Sequence, residues 1–123
     1  MRPSFLVCRP TFYGINYQIN PWMNVHRQAN RALALAQWAA LCRVLREECG
    51  ATVRVCRARP GLPDMTFTAN AGLVHSQKNG EKEFIVSSFR HAERQPEAQH
   101  FLTTAKEHQL GHRSLPSTSG GCA

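Results

Sequence analysis

The chain has 123 residues, of which 15 are basic and 8 acidic, giving a formal net charge of +7. A chain of this length has room for one ordinary domain, with roughly two-thirds of its unfolded surface buried on folding. Twelve of the basic residues are arginines, and they are scattered rather than clustered. We therefore expect a basic surface and neither a nucleic-acid nor a membrane partner.

The cysteines and the apolar runs of the sequence limit which cofactors and which cellular compartment are expected. The five cysteines are an odd number and form no Cys-x-x-Cys pair, which argues against a disulfide framework and against zinc. The apolar run Phe5-Leu6-Val7-Cys8 is too short for a signal peptide, and no run reaches the ~18 residues of a membrane span. We expect no metal, no cofactor and a cytoplasmic location.

The first half of the chain has the order strand, helix, strand. Residues 4–8 are a compact apolar run ended by a proline, which predicts a buried strand. After an irregular aromatic loop at 11–23, apolar residues recur at helical spacing from 25 to 48, and Gly50 supplies a stop. Residues 51–56 alternate valine with threonine and arginine, which predicts a half-buried strand.

The second half adds a hairpin and a second helix. The predicted elements are a short strand at 65–67, strands at 71–75 and 84–88, a helix at 96–109 and the beginning of a strand at 112–116. The Asn79-Gly80 dipeptide favours a hairpin, and Gly111 predicts the end of the helix. The predicted fold class is therefore α/β.

One segment combines turn residues with two polar side chains. It reads Gly61-Leu62-Pro63-Asp64-Met65-Thr66-Phe67-Thr68-Ala69-Asn70-Ala71-Gly72 and contains the only aspartate of the chain. Interpreted as loop, short strand and polar tip, it puts Asp64 and Asn70 at opposite ends of one strand. A carboxylate and a carboxamide so placed can act together on a donor-rich group such as a guanidinium.

Four blocks of the sequence together resemble one enzyme superfamily. They are the segment just quoted and the blocks Phe5-Leu6-Val7-Cys8-Arg9-Pro10, Ile19-Asn20-Pro21-Trp22-Met23 and Ser88-Phe89-Arg90-His91-Ala92-Glu93-Arg94-Gln95. Their order and spacing are similar to the N-terminal part of the guanidino-group-modifying enzymes, the pentein superfamily of arginine deiminases, dimethylargininases, amidinotransferases and arginine dihydrolases. The resemblance implies a partial α/β propeller with about two of the five ββαβ-type repeats. Residues 1–116 would form the N-terminal part of a pentein domain, and 117–123 a flexible tail.

The resemblance also implies which amide and carboxylate side chains bind substrate. Asp64 matches the residue at the head of the family motif, and Asn20 resembles a loop residue that closes over the substrate. Asn70 resembles the arginine dihydrolase branch, since deiminases and dimethylargininases usually carry an acidic residue there. Each of the three also suits a turn, so this role stays open beside the substrate role.

Two arginines are candidates for the group that binds an amino-acid carboxylate. Arg90 and Arg94 follow a predicted strand, where a bidentate arginine can clamp an α-carboxylate. One of them is expected to be the clamp and the other to pair with Glu93 or Glu97 at the surface. The sequence does not distinguish between them.

The expected function follows from what the chain holds and what it lacks. Hydrolysis of a guanidinium needs a nucleophile, an acid or base and acceptors for its NH groups, and the catalytic histidine and cysteine of the family have no matching context here. We expect the N-terminal fragment of a hydrolase or transferase that acts on the guanidino group of arginine or an arginine derivative. The alternatives are a non-catalytic arginine-binding or regulatory fragment, and one half of a two-chain enzyme. A homo-oligomer or a complementing C-terminal half would then be the partner.

Overall fold

The computed structural model of the chain describes residues 2–115. The chain divides into two compact units, Met1–Phe67 and Thr68–Ala123, called here the first and the second unit. The predicted tail at 117–123 lies outside the described residues. Both units combine strands with one helix, so the predicted α/β class is confirmed.

The first unit is a β-α-β arrangement. Strand β1 covers Ser4–Cys8, helix α1 covers Arg31–Glu47 and strand β2 covers Thr52–Cys56. The two strands pair in parallel, with Ser4 opposite Thr52 and Cys8 opposite Cys56. Parallel neighbours need a crossover connection, which α1 supplies. The predicted order of strand, helix and strand is confirmed.

Helix α1 begins later than the predicted residue 25. The side-chain oxygen of Asn30 accepts a hydrogen bond from the backbone N–H of Leu33 at 3.0 Å, so Asn30 is the N-cap. A capped start of this kind satisfies one of the donors that the first helical turn leaves unpaired. At the other end the predicted stop is confirmed, because Gly50 has a φ of +64°.

The two faces of the β1–β2 pair differ in burial. Cys8 and Cys56 lie on the covered face, and both thiols are buried. Phe5 and Val55 point to the opposite face because side chains alternate along a strand, and they are 43% and 45% exposed. The exposure of Val55 differs from the predicted half-buried pattern, since a two-stranded sheet with one helix has only one face to bury.

The short strand predicted at 65–67 was wrong. Residues Pro63–Thr66 form a 3-10 helix in the first unit, and Thr68–Asn70 form another in the second. Pro63 occupies the start of its helix, where its fixed φ fits and its missing N–H is not needed. The N–H of Phe67 then bonds to the carbonyl of Asp64 at 3.0 Å, which completes the turn.

The second unit is a three-stranded sheet with one helix. Its elements are β3 (Gly72–Ser76), β4 (Lys82–Val86), α2 (Glu97–Glu107) and β5 (Gly111–Ser114). The strand order is β3-β4-β5, with β3 antiparallel and β5 parallel to β4. The predicted hairpin is confirmed, with Gly80 at a φ of +84°. Helix α2 ends before the predicted Gly111, because Gln109 takes the left-handed φ of 58° and Gly111 already begins β5.

Apolar side chains from α2 and β4 form the core of the second unit. Phe84, Val86, Phe101 and Ala105 are all buried.

Within residues 2–115, no helix combines the length and the apolar composition that crossing a membrane requires.

Gly72 marks a close approach in the second unit that can be tested. A Cβ on this residue would collide with the carbonyl oxygen of Ile85 and lie 2.7 and 2.8 Å from two ring carbons of the buried Phe84. Gly72→Ala is therefore expected to lower the free energy of unfolding by about 1–3 kcal/mol through overpacking. Urea titration followed by circular dichroism measures the change. Gly111→Ala is the control, because its nearest neighbour would be 3.5 Å away. Equal effects of the two substitutions would contradict the packing argument.

Candidate functional site

Asp64 is a buried carboxylate held by a tyrosine of the first unit. It is 5% exposed, and the hydroxyl of Tyr17 donates a hydrogen bond to its Oδ2 at 2.6 Å. Tyr17 lies in the long loop between β1 and α1, 47 residues from its partner. A hydroxyl that donates to a carboxylate fixes the plane of that carboxylate. Sequence reasoning missed Tyr17, because nothing distinguishes it from the other aromatic residues of its loop.

The side chain of Gln28 pins the loop that carries Tyr17. Its Oε1 accepts from the N–H of Ile15 at 2.9 Å, and its Nε2 donates to the carbonyls of Ile15 and Val25 at 2.8 and 2.7 Å. The Gln28 amide thus bonds to both the N–H and the carbonyl of Ile15, as a neighbouring strand would, and it links Ile15 to Val25 within the loop. The loop owes its conformation to these side-chain bonds rather than to a sheet.

Asn20 lies at the exposed tip of the same loop. Its Oδ1 accepts hydrogen bonds from the N–H groups of Trp22 and Met23 at 3.0 and 3.1 Å, which is an Asx turn. The turn role suggested by the sequence is therefore present. Both bonds use the oxygen of the amide, so a ligand would meet the Nδ2 donor. Trp22 beside it is 87% exposed.

Asn70 ends the second 3-10 helix, directly before β3. Its Oδ1 accepts a hydrogen bond from Nη1 of Arg94 at 2.9 Å, and its backbone carbonyl accepts one from the hydroxyl of Ser87. The residue itself is exposed. Asn70 is therefore held on two sides by its own unit while it remains accessible to a ligand.

Arg94 is engaged by a buried ion pair. Its Nε and Nη2 donate to the two carboxylate oxygens of Glu97, both at 2.9 Å, and its guanidinium lies 4.7 Å from the ring centroid of Phe89. Arg94 is 5% and Glu97 0% exposed. Of the pairings that the sequence left open, the structure shows Arg94 with Glu97, and it places the pair in the interior rather than at the surface.

Arg90 differs from Arg94 in its surroundings. It is exposed, and no carboxylate of residues 2–115 lies within 4.0 Å of its guanidinium. The second unit therefore contains Asn70 and Arg94 in contact, and within residues 2–115 neither of them is bonded to Arg90. Asn20 and Asp64 belong to the first unit.

A cleft of about 340 Å³ opens in the second unit at the end of β4. Three serines, Ser87, Ser88 and Ser114, contribute to its lining, together with Phe89 and Gln95, which flank the turn that carries Arg90. Its volume falls within the range of small-molecule sites. Among residues 2–115, no cluster of three or more histidine, cysteine or acidic side chains is arranged to hold a metal ion.

Comparison with known proteins relates the chain to enzymes of arginine metabolism. The bifunctional arginine dihydrolase/ornithine cyclodeaminase AgrE of Nostoc sp. is 41% identical over 102 residues, which are 81% of this chain and 13% of AgrE. The N(G),N(G)-dimethylarginine dimethylaminohydrolase of Mycobacterium tuberculosis is 34% identical over 94 residues, 76% of this chain and 29% of that enzyme. No protein-family model matches the chain.

A solved structure extends the same relationship. The N-terminal domain of ArgZ, an arginine dihydrolase from the ornithine-ammonia cycle in cyanobacteria, matches 94% of this chain with a TM-score of 0.82 at 36% identity. The match covers 40% of that domain, so the chain spans well under two-thirds of the proteins it resembles. By its fold and these matches the chain resembles one class of protein, the N-terminal part of α/β enzymes that are named for acting on arginine or dimethylarginine. Within that class the chain is a homologue of the arginine dihydrolases AgrE and ArgZ and of a dimethylargininase, which confirms the resemblance predicted from the sequence.

The hydrogen bond between Tyr17 and Asp64 is expected to stabilise the first unit. Tyr17→Phe removes the donor and leaves a buried carboxylate short of one partner, which costs about 1–3 kcal/mol of unfolding free energy. Tyr13→Phe is the matched control, because in residues 2–115 the Tyr13 hydroxyl has no hydrogen bond and only the ring packs, edge-on against Phe67. Urea unfolding of both variants makes the comparison. A loss for Tyr17→Phe no larger than the control's would contradict the role given to the bond.

The buried ion pair of the second unit is expected to respond to substitution more strongly than the surface pair. Glu97→Gln leaves the Arg94 charge buried without its counter-charge and should cost about 3–5 kcal/mol. Glu83→Gln removes the charge that pairs with the exposed Arg113 at 3.4 Å and should cost less than about 1 kcal/mol, because Arg113 stays in contact with water. Denaturation midpoints of the two variants, measured in parallel, compare the losses of unfolding free energy. Similar losses would contradict the expectation that the buried pair stabilises the unit more than the surface pair.

Proposed function

We propose that this chain supplies substrate-binding residues to an enzyme that hydrolyses the guanidino group of arginine or an arginine derivative, with arginine dihydrolase as the favoured activity. The observation that carries the proposal is the match to AgrE bound to L-arginine. That match covers 94% of this chain at 38% identity and a TM-score of 0.81. The relatives described above are hydrolases of arginine or dimethylarginine, which favours hydrolysis over amidino transfer.

The proposed roles of the side chains follow from their chemistry. Asp64, oriented by Tyr17, is an acceptor for the NH groups of a guanidinium. Arg90 is the clamp for the α-carboxylate, because the guanidinium of Arg94 is already bonded to Glu97 and Asn70.

Two asparagines complete the proposed binding residues. Asn20 presents its amide from the tip of the loop, and Asn70 presents its amide at the end of the 3-10 helix before β3. Support for a role of an asparagine in the reaction comes from ArgZ. A variant of its N-terminal domain with serine in place of an asparagine was solved covalently bound to a reaction intermediate.

The nucleophile and the acid or base of the reaction are proposed to come from outside residues 2–115. Variants of AgrE and ArgZ with one cysteine replaced were solved with L-arginine and with substrate, which supports a cysteine nucleophile in those enzymes. A longer chain or a complementing C-terminal half would supply the corresponding group here. A non-catalytic arginine-binding fragment remains the second candidate, since it needs only the binding residues.

The finer features of the fold and location are proposals of the same kind. The two units would be about two of the five ββαβ-type repeats of a pentein propeller, with residues 1–116 forming the N-terminal part of that domain. Among residues 2–115, no disulfide joins Cys8, Cys42, Cys49 and Cys56, which supports a reducing, cytoplasmic environment.

Paired ligands test the clamp and the proposed function together. L-arginine and agmatine share the guanidinium, but agmatine has no carboxylate. Arg90→Ala is expected to weaken binding of L-arginine by about 10–100-fold through loss of a charge-assisted bidentate contact, and to leave binding of agmatine nearly unchanged. Isothermal titration calorimetry of the chain with each ligand measures both effects.

Arg113→Ala is the control, because Arg113 is an exposed arginine of the same unit that pairs with Glu83. It should change neither affinity. Absence of L-arginine binding to the unsubstituted chain would refute the proposed function. An equal loss for both ligands with Arg90→Ala would refute only the clamp.

A further inference from the structure

The bond between Arg94 and Asn70 has a direction that constrains the ligand. A carboxamide has an acceptor end, Oδ1, and a donor end, Nδ2, whereas a guanidinium only donates. The end of the Asn70 amide that faces Nη1 of Arg94 at 2.9 Å must therefore be the oxygen. The donor end, Nδ2, is then the end of the amide turned away from Arg94, and it is available to a ligand because the residue is exposed.

The guanidinium that imposes this direction is itself fixed. The two carboxylate oxygens of Glu97 accept hydrogen bonds from Nε and Nη2 of Arg94. Because this contact is bidentate, the plane of the guanidinium cannot rotate without breaking both bonds. The ring of Phe89 lies against the same group at 4.7 Å. Because Arg94 is 5% and Glu97 0% exposed, water cannot easily substitute for these contacts.

We propose that Arg94 is a positioning residue that turns the amide of Asn70 so that its Nδ2 donor faces the ligand. The inference rests on the proposed function and specifies the chemistry of one end of that site. A donor at this position matches a hydrogen-bond acceptor, such as the carbonyl oxygen of a ureido group. It does not match the NH groups of a guanidinium, which only donate. Asn70 thereby distinguishes the ureido form of a ligand from its guanidino form.

A carboxylate at position 70 would behave differently, and this difference provides a test. Both oxygens of an aspartate accept, so one can bond to Arg94 while the other still offers an acceptor to the ligand. The orientation set by Arg94 matters for an amide and not for a carboxylate. The effect of replacing Arg94 on ligand preference should therefore disappear in an Asn70→Asp background.

The experiment compares L-citrulline, which carries the ureido group, with L-arginine. Titration calorimetry gives the ratio of their dissociation constants for the unsubstituted chain, Arg94→Lys, Asn70→Asp and the double variant. Arg94→Lys keeps the charge but offers no fixed fork, so the amide can flip. We expect it to shift the ratio against citrulline by about fivefold, while in the Asn70→Asp background the same change leaves the ratio unaltered. A purely structural role would weaken both ligands alike, and that result would overturn the proposal.

A measurement on the unsubstituted chain keeps the proposal testable if Arg94→Lys does not fold. Nuclear magnetic resonance should detect scalar coupling across the hydrogen bond from Nη1 of Arg94 to the side-chain carbonyl of Asn70, together with slow exchange of the Nη1 protons. Rapidly exchanging Nη1 protons without this coupling would overturn the assigned orientation. If neither ligand binds the unsubstituted chain, the proposed function fails, and the spectrum still decides whether Arg94 orients Asn70.

Discussion

The buried contact between Arg94 and Glu97 is the interaction on which the second unit depends most. Taking two charges out of water is costly, and the cost is offset only when geometry is good and the remaining donors are satisfied. Both conditions hold, since the contact is bidentate and the third nitrogen of Arg94 bonds to Asn70. Glu97 also lies in the first turn of α2, where the helix dipole favours a negative charge. One pair of side chains thus ties the start of a helix to the segment before β3.

The first unit positions its polar groups by a different means. Its sheet has two strands, and the residues of interest come from the loop between them and from the 3-10 helix that follows β2. Side-chain hydrogen bonds hold the loop where a larger sheet would use backbone bonds. Gln28 bonds to the backbone of Ile15, and Tyr17 bonds to Asp64. Asn20 and Asn70 share a feature in their separate units, because each amide oxygen is bonded within the chain and each nitrogen is left to a ligand.

Local sequence signals predicted most of the regular elements, and the predictions failed where a competing local signal or a distant contact decided the conformation. In the hairpin, the N–H of Gly80 bonds to the carbonyl of Gln77 at 3.0 Å, and Gly80 takes a φ of +84°, which glycine adopts without steric cost. The alternating residues 65–67 suggested a strand, but the preceding proline and i to i+3 bonds make a 3-10 helix. The spacing of three residues between Arg94 and Glu97 in the sequence is compatible with an ion pair. It does not show that the pair is buried, because burial depends on how α2 packs. Tyr17 carried no signal at all, since its partner is 47 residues away.

The register of the parallel strands has a practical consequence for the thiols. Cys8 and Cys56 face each other across the β1–β2 ladder and are buried, whereas Cys49 is exposed just beyond α1. A buried thiol reacts with an alkylating reagent only when its surroundings open. The alkylation rate of the two facing cysteines therefore reports how often the cover over this face of the β1–β2 pair opens, and Cys49 supplies the reference for a thiol that needs no such opening. The free energy of this local event is in this way accessible from cysteines that the chain already contains.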